Sequence, residues 1–284
     1  MRVNKSKKKQ KLFSFLIVLC FVLVAAFVTP LLVETFTETV TKESAEATTE
    51  IVEEKNQTKG TEDTSNEQER TNNNTTTAGQ SGKVVYLTFD DGPSSLTGRF
   101  LDILKEHGAK ATFFMQGSNL KNPGYHENVK RVVEEGHYLG AHSMTHDSRK
   151  LYTNKQFVPE MVEAIDLIRN ITNTNPKLVR APYGTAPGLK NKEIRNQTAE
   201  AGLKVWDWTL DTEDWRLRGK PDKVIQKVKE APIRNVEVVL MHEQSQTLEA
   251  LPAIINYYKE KGYQFVAYNE NKHFSLNFQN DERL

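Results

Sequence analysis

Apolar residues follow three rhythms along the chain. From Leu12 to Val33 they run without interruption as "LFSFLIVLCFVLVAAFVTPLLV". Across residues 34–80 they nearly vanish. From Lys83 onward they recur in two alternating patterns, period two and period 3.6. "KVVYLTF", "ATFFMQG", "HYLGAHS", "KLVRAPYG", "LKVWDWTLD", "VEVVLMHE" and "YQFVAY" read as strands, rich in Val, Phe and Tyr. Between them "TGRFLDILKEHG", "ENVKRVVEEGH", "NKQFVPEMVEAIDLIRNIT", "NKEIRNQTAEAG", "PDKVIQKVKEAP" and "TLEALPAIINYYKEKG" carry apolar side chains three and four apart, as amphipathic helices do. Gly108, Gly136, Gly202 and Gly262 stand where those helices should stop.

Alternating β and α units of this length imply a parallel sheet, open and doubly wound or closed as a barrel. The polar residues separate the two. Asp90 and Asp91, His142, Arg180, Asp211 and His242 each fall at or just past the C-terminal end of a different strand. Strand ends of a β/α barrel converge on one mouth. The expected fold is therefore an α/β, distorted (β/α)7 barrel over residues 81–284, with about seven units instead of eight.

The first two rhythms define what precedes it. Residues 1–11 carry six basic side chains and no acid, and 12–33 are long enough to cross a bilayer. With the basic flank first, the N-terminus is expected to stay cytoplasmic and the rest to be exported. The apolar run is either a retained signal anchor or a signal peptide cleaved near "VAA" at 24–26. Cys20, the single cysteine, follows Leu19, whereas a lipoprotein acceptor needs a small residue before it. Residues 34–80 hold eleven acidic and four basic side chains among Thr, Asn and Ser, the composition of an extended, disordered tether. The remaining 28 basic and 26 acidic residues nearly cancel, which gives no support for nucleic-acid binding. A monomer is expected.

Candidate chemistry starts at "TFDDG". Two adjacent carboxylates at a strand end repel unless a cation sits between them. "HSMTH" places His142 and His146 four apart, on one face if the segment forms a helical turn. Alone, that spacing is better read as two packed or solvated histidines. Combined with a strand-end carboxylate, it makes a three-ligand set with an open position, as in a catalytic zinc site. Asp91, His142 and His146 are then the ligands. Zinc suits them best, and Co2+, Ni2+ or Mn2+ could substitute. Asp90 remains as a base for water, oriented by Arg180 through a charge-assisted bond. His242 would be the acid that protonates a poor leaving group such as an amine. Asp211 would hold the other nitrogen of His242 and raise its pKa. Leu240 and Trp215 could wall a pocket for a small acyl methyl, although both also suit a core.

These stretches resemble the polysaccharide deacetylase (NodB-homology, carbohydrate esterase four) family. "TFDDG" (88–92), "HSMTH" (142–146), "RAPYG" (180–184), "DTEDW" (211–215) and "LMH" (240–242) stand in the family's order. The resemblance implies Asp90 as base, Asp91, His142 and His146 as metal ligands, and Arg180 as the partner of Asp90. It also implies Asp211 tuning the acid His242, with Trp215 and Leu240 lining the acetyl pocket. The backbone N–H of Tyr183 would help stabilise the oxyanion. Glu243 stands where family members often carry Asp. The expected activity is metal-dependent removal of N-acetyl groups from an extracellular glycan, peptidoglycan N-acetylglucosamine first. Chitin-type polymers, acetyl xylan and an inactive wall-binding protein are the alternatives, and no essential residue of the set is missing.

Overall fold

The computed structural model describes residues 82–284. The expectations for 1–11, 12–33 and 34–80 lie outside the described residues. Eight parallel strands run in chain order as β1 (Val84–Gly92), β2 (Ala111–Met115), β3 (Tyr138–Ala141), β4 (Leu178–Val179), β5 (Lys204–Val205), β6 (Leu210–Asp211), β7 (Val236–His242) and β8 (Gln264–Phe265). Interleaved are α1 (Thr97–Glu106), α2 (His126–Glu134), α3 (Phe157–Thr172), α4 (Lys192–Glu200), α5 (Pro221–Glu230) and α6 (Ser245–Glu260). Gly108, Gly136, Gly202 and Gly262 all take positive φ just past a helix end, where a side chain would be disfavoured. Among the described residues, no helix is long and apolar enough to cross a membrane.

The sheet order is β5-β4-β3-β2-β1-β7-β6, with β8 paired to the first two residues of β1. This curved, parallel arrangement fits the expected distorted (β/α)7 barrel. The strand count differs at one place. The apolar pattern predicts "LKVWDWTLD" as one strand, yet it divides into β5 on one edge of the sheet and β6 on the other. Residues 206–209 span the gap between those edges. Trp206 pairs with Leu276 and Asp207 N–H donates to the Leu276 carbonyl at 2.7 Å. The C-terminal segment thus satisfies backbone that a regular neighbouring strand would otherwise satisfy, and here the barrel is distorted.

Alternation along the strands sorts side chains into two layers. Val85, Leu87 and Phe89 of β1, Phe113 and Met115 of β2, and Val239 and Met241 of β7 join the large core that the helices cover. Their alternates face the concave side. There Phe114, Leu178, Trp206, Val238 and Tyr268 form a second cluster, with Tyr86 and Phe274 packed against it. The rings of Tyr86 and Tyr268 meet Trp206 edge to face at 5.0 and 4.8 Å. This inner cluster is the floor. Residues further along the same strands, Thr88, Asp90, Leu240 and His242, continue the concave row upward to the strand ends.

Gly140 belongs to that row. A Cβ there would lie 2.6 Å from the Leu178 carbonyl oxygen and 3.0 Å from the Phe114 ring. The ring, in turn, lies under the Arg180 guanidinium, 4.2 Å from its centroid. Overpacking of this kind costs about 1–3 kcal/mol. Gly140→Ala is expected to lower the thermal midpoint by about 3–10 °C, measured by calorimetry.

Candidate active site

β1 and β7 are adjacent and in register, with Asp90 opposite His242 and Thr88 opposite Leu240. Both polar residues therefore sit on the concave face at the same height. In a regular strand Asp91 would point to the opposite face from Asp90. The strand does not stay regular. Its pairing with β2 slips between Asp90 and Gly92, and Asp91 takes φ 68°. Such a bulge re-aims a side chain, and both carboxylates come to line one cavity.

Asp91 Oδ1 lies 3.7 Å from His142 Nε2 and 3.8 Å from His146 Nε2. One donor atom from each residue lies within 4.8 Å of the others. Asp91 Oδ1 is buried and has no hydrogen-bond partner among the described residues. An orphaned buried carboxylate oxygen is costly unless a cation or donor meets it. The imidazoles are already set for one. His142 Nδ1 is 2.8 Å from the Arg180 carbonyl, which can only accept, so in the neutral ring Nδ1 carries the proton and Nε2 has the lone pair. Tyr183 Oη donates to the His146 carbonyl at 2.9 Å and so accepts from His146 Nδ1 at 3.2 Å. Burial, together with the neighbouring His142, holds the His146 pKa below its usual value. Neutral imidazoles with Nε2 free are the ligating form, and the residues fit a divalent ion.

The loop carrying the histidines is not the helical turn anticipated. Ser143 and His146 both take left-handed φ, 63° and 55°, and the rings tilt with centroids 5.1 Å apart. Of the eight non-glycine residues with positive φ among the described residues, five belong to the site's loops: Asp91, Ser143, His146, Tyr183 and Glu213. Backbone strain of this type persists where the surroundings over-determine it.

Arg180 is fully buried. Its guanidinium donates to Asp90 Oδ1 at 2.9 Å, Thr88 Oγ1 at 2.6 Å, and the carbonyls of Trp206 and Asp207 at 3.0 and 2.9 Å. Asp90 is thereby held beside the three donor residues, its Oδ2 3.7 Å from His142 Nε2.

The partner of His242 is Asp214, which corrects the expectation of Asp211. Asp214 Oδ1 lies 2.7 Å from His242 Nδ1, and Asp214 Oδ2 accepts the His242 backbone N–H at 2.7 Å. Thr247 Oγ1 also donates to Asp214 Oδ2 at 2.5 Å. Asp211 instead caps the turn by accepting from Glu213 N–H at 2.7 Å. Two aspartates in "DTEDW" make the pairing ambiguous from sequence. The short helical turn Asp214–Arg216 settles it, since only its first residue is fully buried against β7. Burial opposes charge on His242, but the hydrogen bond and charge of Asp214, with Asp90 and Asp91 adding, push its pKa up to about 9.

Asp90, the three donor residues and His242 open on one cavity of about 420 Å3, lined also by Ala181, Tyr183, Trp208, Asp211, Trp215 and Leu240, while Arg180 and Asp214 stand behind it. Its volume falls in the range of small-ligand sites. Leu240 is buried, whereas Tyr183 and Trp215 are each 55% exposed and form the rim. Trp208 is a wall residue that the strand pattern alone places in a sheet.

A family model described as polysaccharide deacetylase matches residues 77–206. The peptidoglycan-N-acetylglucosamine deacetylase of Bacillus cereus is 49% identical over 212 residues, 72% of this chain and 77% of that protein. The peptidoglycan-N-acetylglucosamine deacetylase PgdA of Listeria monocytogenes is 36% identical, across 67% of this chain and 39% of that protein. The crystal structure of the polysaccharide deacetylase Bc1974 from Bacillus cereus superposes with a TM-score of 0.69 at 48% identity, covering 71% of this chain and all of the other.

The His242–Asp214 pair makes a direct expectation. A raised folded-state pKa contributes stability that is complete below about 6.5 and lost as pH rises through about 9. In NMR titrations of metal-free protein, His242 should titrate near 9. Asp214→Asn should bring it towards or below the ordinary 6.5, because burial is then less opposed. Asp211→Asn should leave it close to the wild-type value.

Proposed function

The chain belongs to the polysaccharide deacetylase family and is a deacetylating hydrolase, and from that premise we propose that it removes N-acetyl groups from peptidoglycan N-acetylglucosamine in a divalent-metal-dependent reaction. One observation carries the reading. Asp90 locked by Arg180, His242 hydrogen-bonded to Asp214, and three convergent donor atoms lie at the same cavity. Hydrolysis of an amide needs a base for water and an acid for the leaving nitrogen, and these are the two groups presented.

Asp91, His142 and His146 would hold the ion, zinc by the nature of the donors. When bound, it supplies a water of lowered pKa and Lewis acidity towards the acetyl oxygen. Asp90 takes a proton from the attacking water, and its carboxylate cannot swing away because Arg180 is anchored by three other acceptors. The acetyl methyl sits against Leu240 and Trp215. The Tyr183 backbone N–H, turned by its φ of 66°, is a further donor for the developing oxyanion. As the tetrahedral centre collapses, the C–N bond breaks and His242 delivers its proton to the departing nitrogen. Acetate and a free amino sugar result. Asp214 keeps that proton on His242 at neutral pH. Asp211 acts indirectly, by shaping the turn that carries Asp214 and Trp215.

The Bacillus and Listeria relatives support the wall-glycan substrate by what their names state, over the alternatives of a chitin-type polymer or acetyl xylan. The basic and apolar N-terminal run supports action outside the cell, anchored or secreted.

Purified full-length protein incubated with peptidoglycan should produce muropeptides lacking acetyl on glucosamine, read by mass spectrometry, with acetate released in equal amount. Asp90→Asn should lower acetate release by about 10²–10⁴-fold while metal content stays at the wild-type value, assayed well below a melting temperature that the broken Arg180 pair lowers. Undiminished release would remove Asp90 from the role of base. Chelation should abolish turnover, and zinc should restore it.

A further inference from the structure

We propose that Glu160, on the first turn of α3, is the positioning residue that shapes the two-histidine loop for metal binding. The inference rests on reading His142 and His146 as ligands. Glu160 lies on the buried face of α3 with Phe157, Met161, Ala164, Ile165 and Ile168. A carboxylate in that apolar row is costly unless it is fully hydrogen-bonded. Every donor it meets comes from the loop between the histidines. Glu160 Oε2 accepts from the backbone N–H groups of Met144 at 3.1 Å and Thr145 at 2.9 Å, and Thr145 Oγ1 reaches both carboxylate oxygens at 2.9 Å.

The neighbouring donors are taken in the same manner. Ser143 N–H points at Met161 Sδ at 3.2 Å, and His146 N–H donates to Ser143 Oγ at 3.0 Å. Four successive N–H groups, 143 to 146, are thus met by side chains. On the other side of the loop, Gly117 and Ser118 N–H donate to the carbonyls of Ser143 and Met144 at 2.8 and 3.0 Å. Successive N–H groups turned inward make a concavity that favours an anion. The Glu160 carboxylate fills it, and the left-handed φ values of Ser143 and His146 follow from the wrap around it. Glu160 has no hydrogen bond to either imidazole, so it acts only through the backbone that carries them.

Groups that orient metal ligands typically matter by about 10–100-fold in affinity. Glu160→Ala is expected to weaken zinc binding by that factor in competition with a chromophoric chelator. Amide exchange at Met144 and Thr145 in the metal-free protein should accelerate, while exchange along β1 stays unchanged. Glu160→Gln, which keeps the shape and one acceptor oxygen, should fall between Ala and wild type on both readouts. His142→Ala serves as the reference for a lost ligand. If wild type binds zinc, His142→Ala loses it, and both Glu160 variants bind as tightly as wild type, the positioning role is wrong and the ligand reading stands. If His142→Ala binds as wild type does, the ligand reading fails and the proposal fails with it. Should the Ala variant not fold, the Gln variant decides: native affinity with native loop exchange overturns the proposal.

Discussion

The buried guanidinium of Arg180 is the constraint on which the rest of the site depends. Its side chain holds Asp90 and Thr88 of β1 and the backbone that bridges β5 to β6, while its own carbonyl sets the tautomer of His142. One residue thereby fixes the Asp90 carboxylate, the His142 ring and the distorted edge of the barrel. A fully buried ion pair is not by itself a stabilising device, because desolvation offsets much of the attraction. Removing one partner is another matter and costs about 3–5 kcal/mol, since a lone charge is left inside. The pair is better understood as a device for geometry. Phe114 below it and Gly140 beside Phe114 supply the platform over which the guanidinium is held.

The two adjacent carboxylates follow from the same economy of position. Alternation would send Asp90 and Asp91 to opposite faces of the sheet. The bulge at Asp91 cancels the alternation for one residue and brings the second acid into the cavity. What results is one oxygen with an arginine partner and another with none, a few ångströms from two prepared imidazoles. Like charges placed so close call for a cation. At the other rim, Asp214 does for His242 the opposite of what burial would do, keeping a proton on a ring that would otherwise be neutral.

Most of this is legible in the sequence because strand-end polar residues interrupt otherwise apolar runs. Asp90, Arg180 and His242 announce themselves that way, and the period-two rows explain why they share a face. Three features are not legible, each for a physical reason. The split of "LKVWDWTLD" depends on Leu276, seventy residues later, taking the backbone of 206 and 207. The choice of Asp214 over Asp211 depends on which of two similar side chains is buried by α6, through Thr247 and Gln246. The loop of His142 and His146 has helical spacing, yet a carboxylate from a later helix takes the N–H groups of Met144 and Thr145, and Ser143 and His146 on either side are left-handed. In all three, a tertiary partner overrides a local pattern.

The central claim is that Asp91, His142 and His146 share one ion. Anomalous diffraction at the zinc absorption edge, on crystals of the protein equilibrated with stoichiometric zinc, tests it without any assay. A single strong peak is expected between Asp91 Oδ1 and the two Nε2 atoms, with Asp90 still on Arg180. Density at another cluster, or at Asp90 with Asp91 turned to solvent, would contradict it.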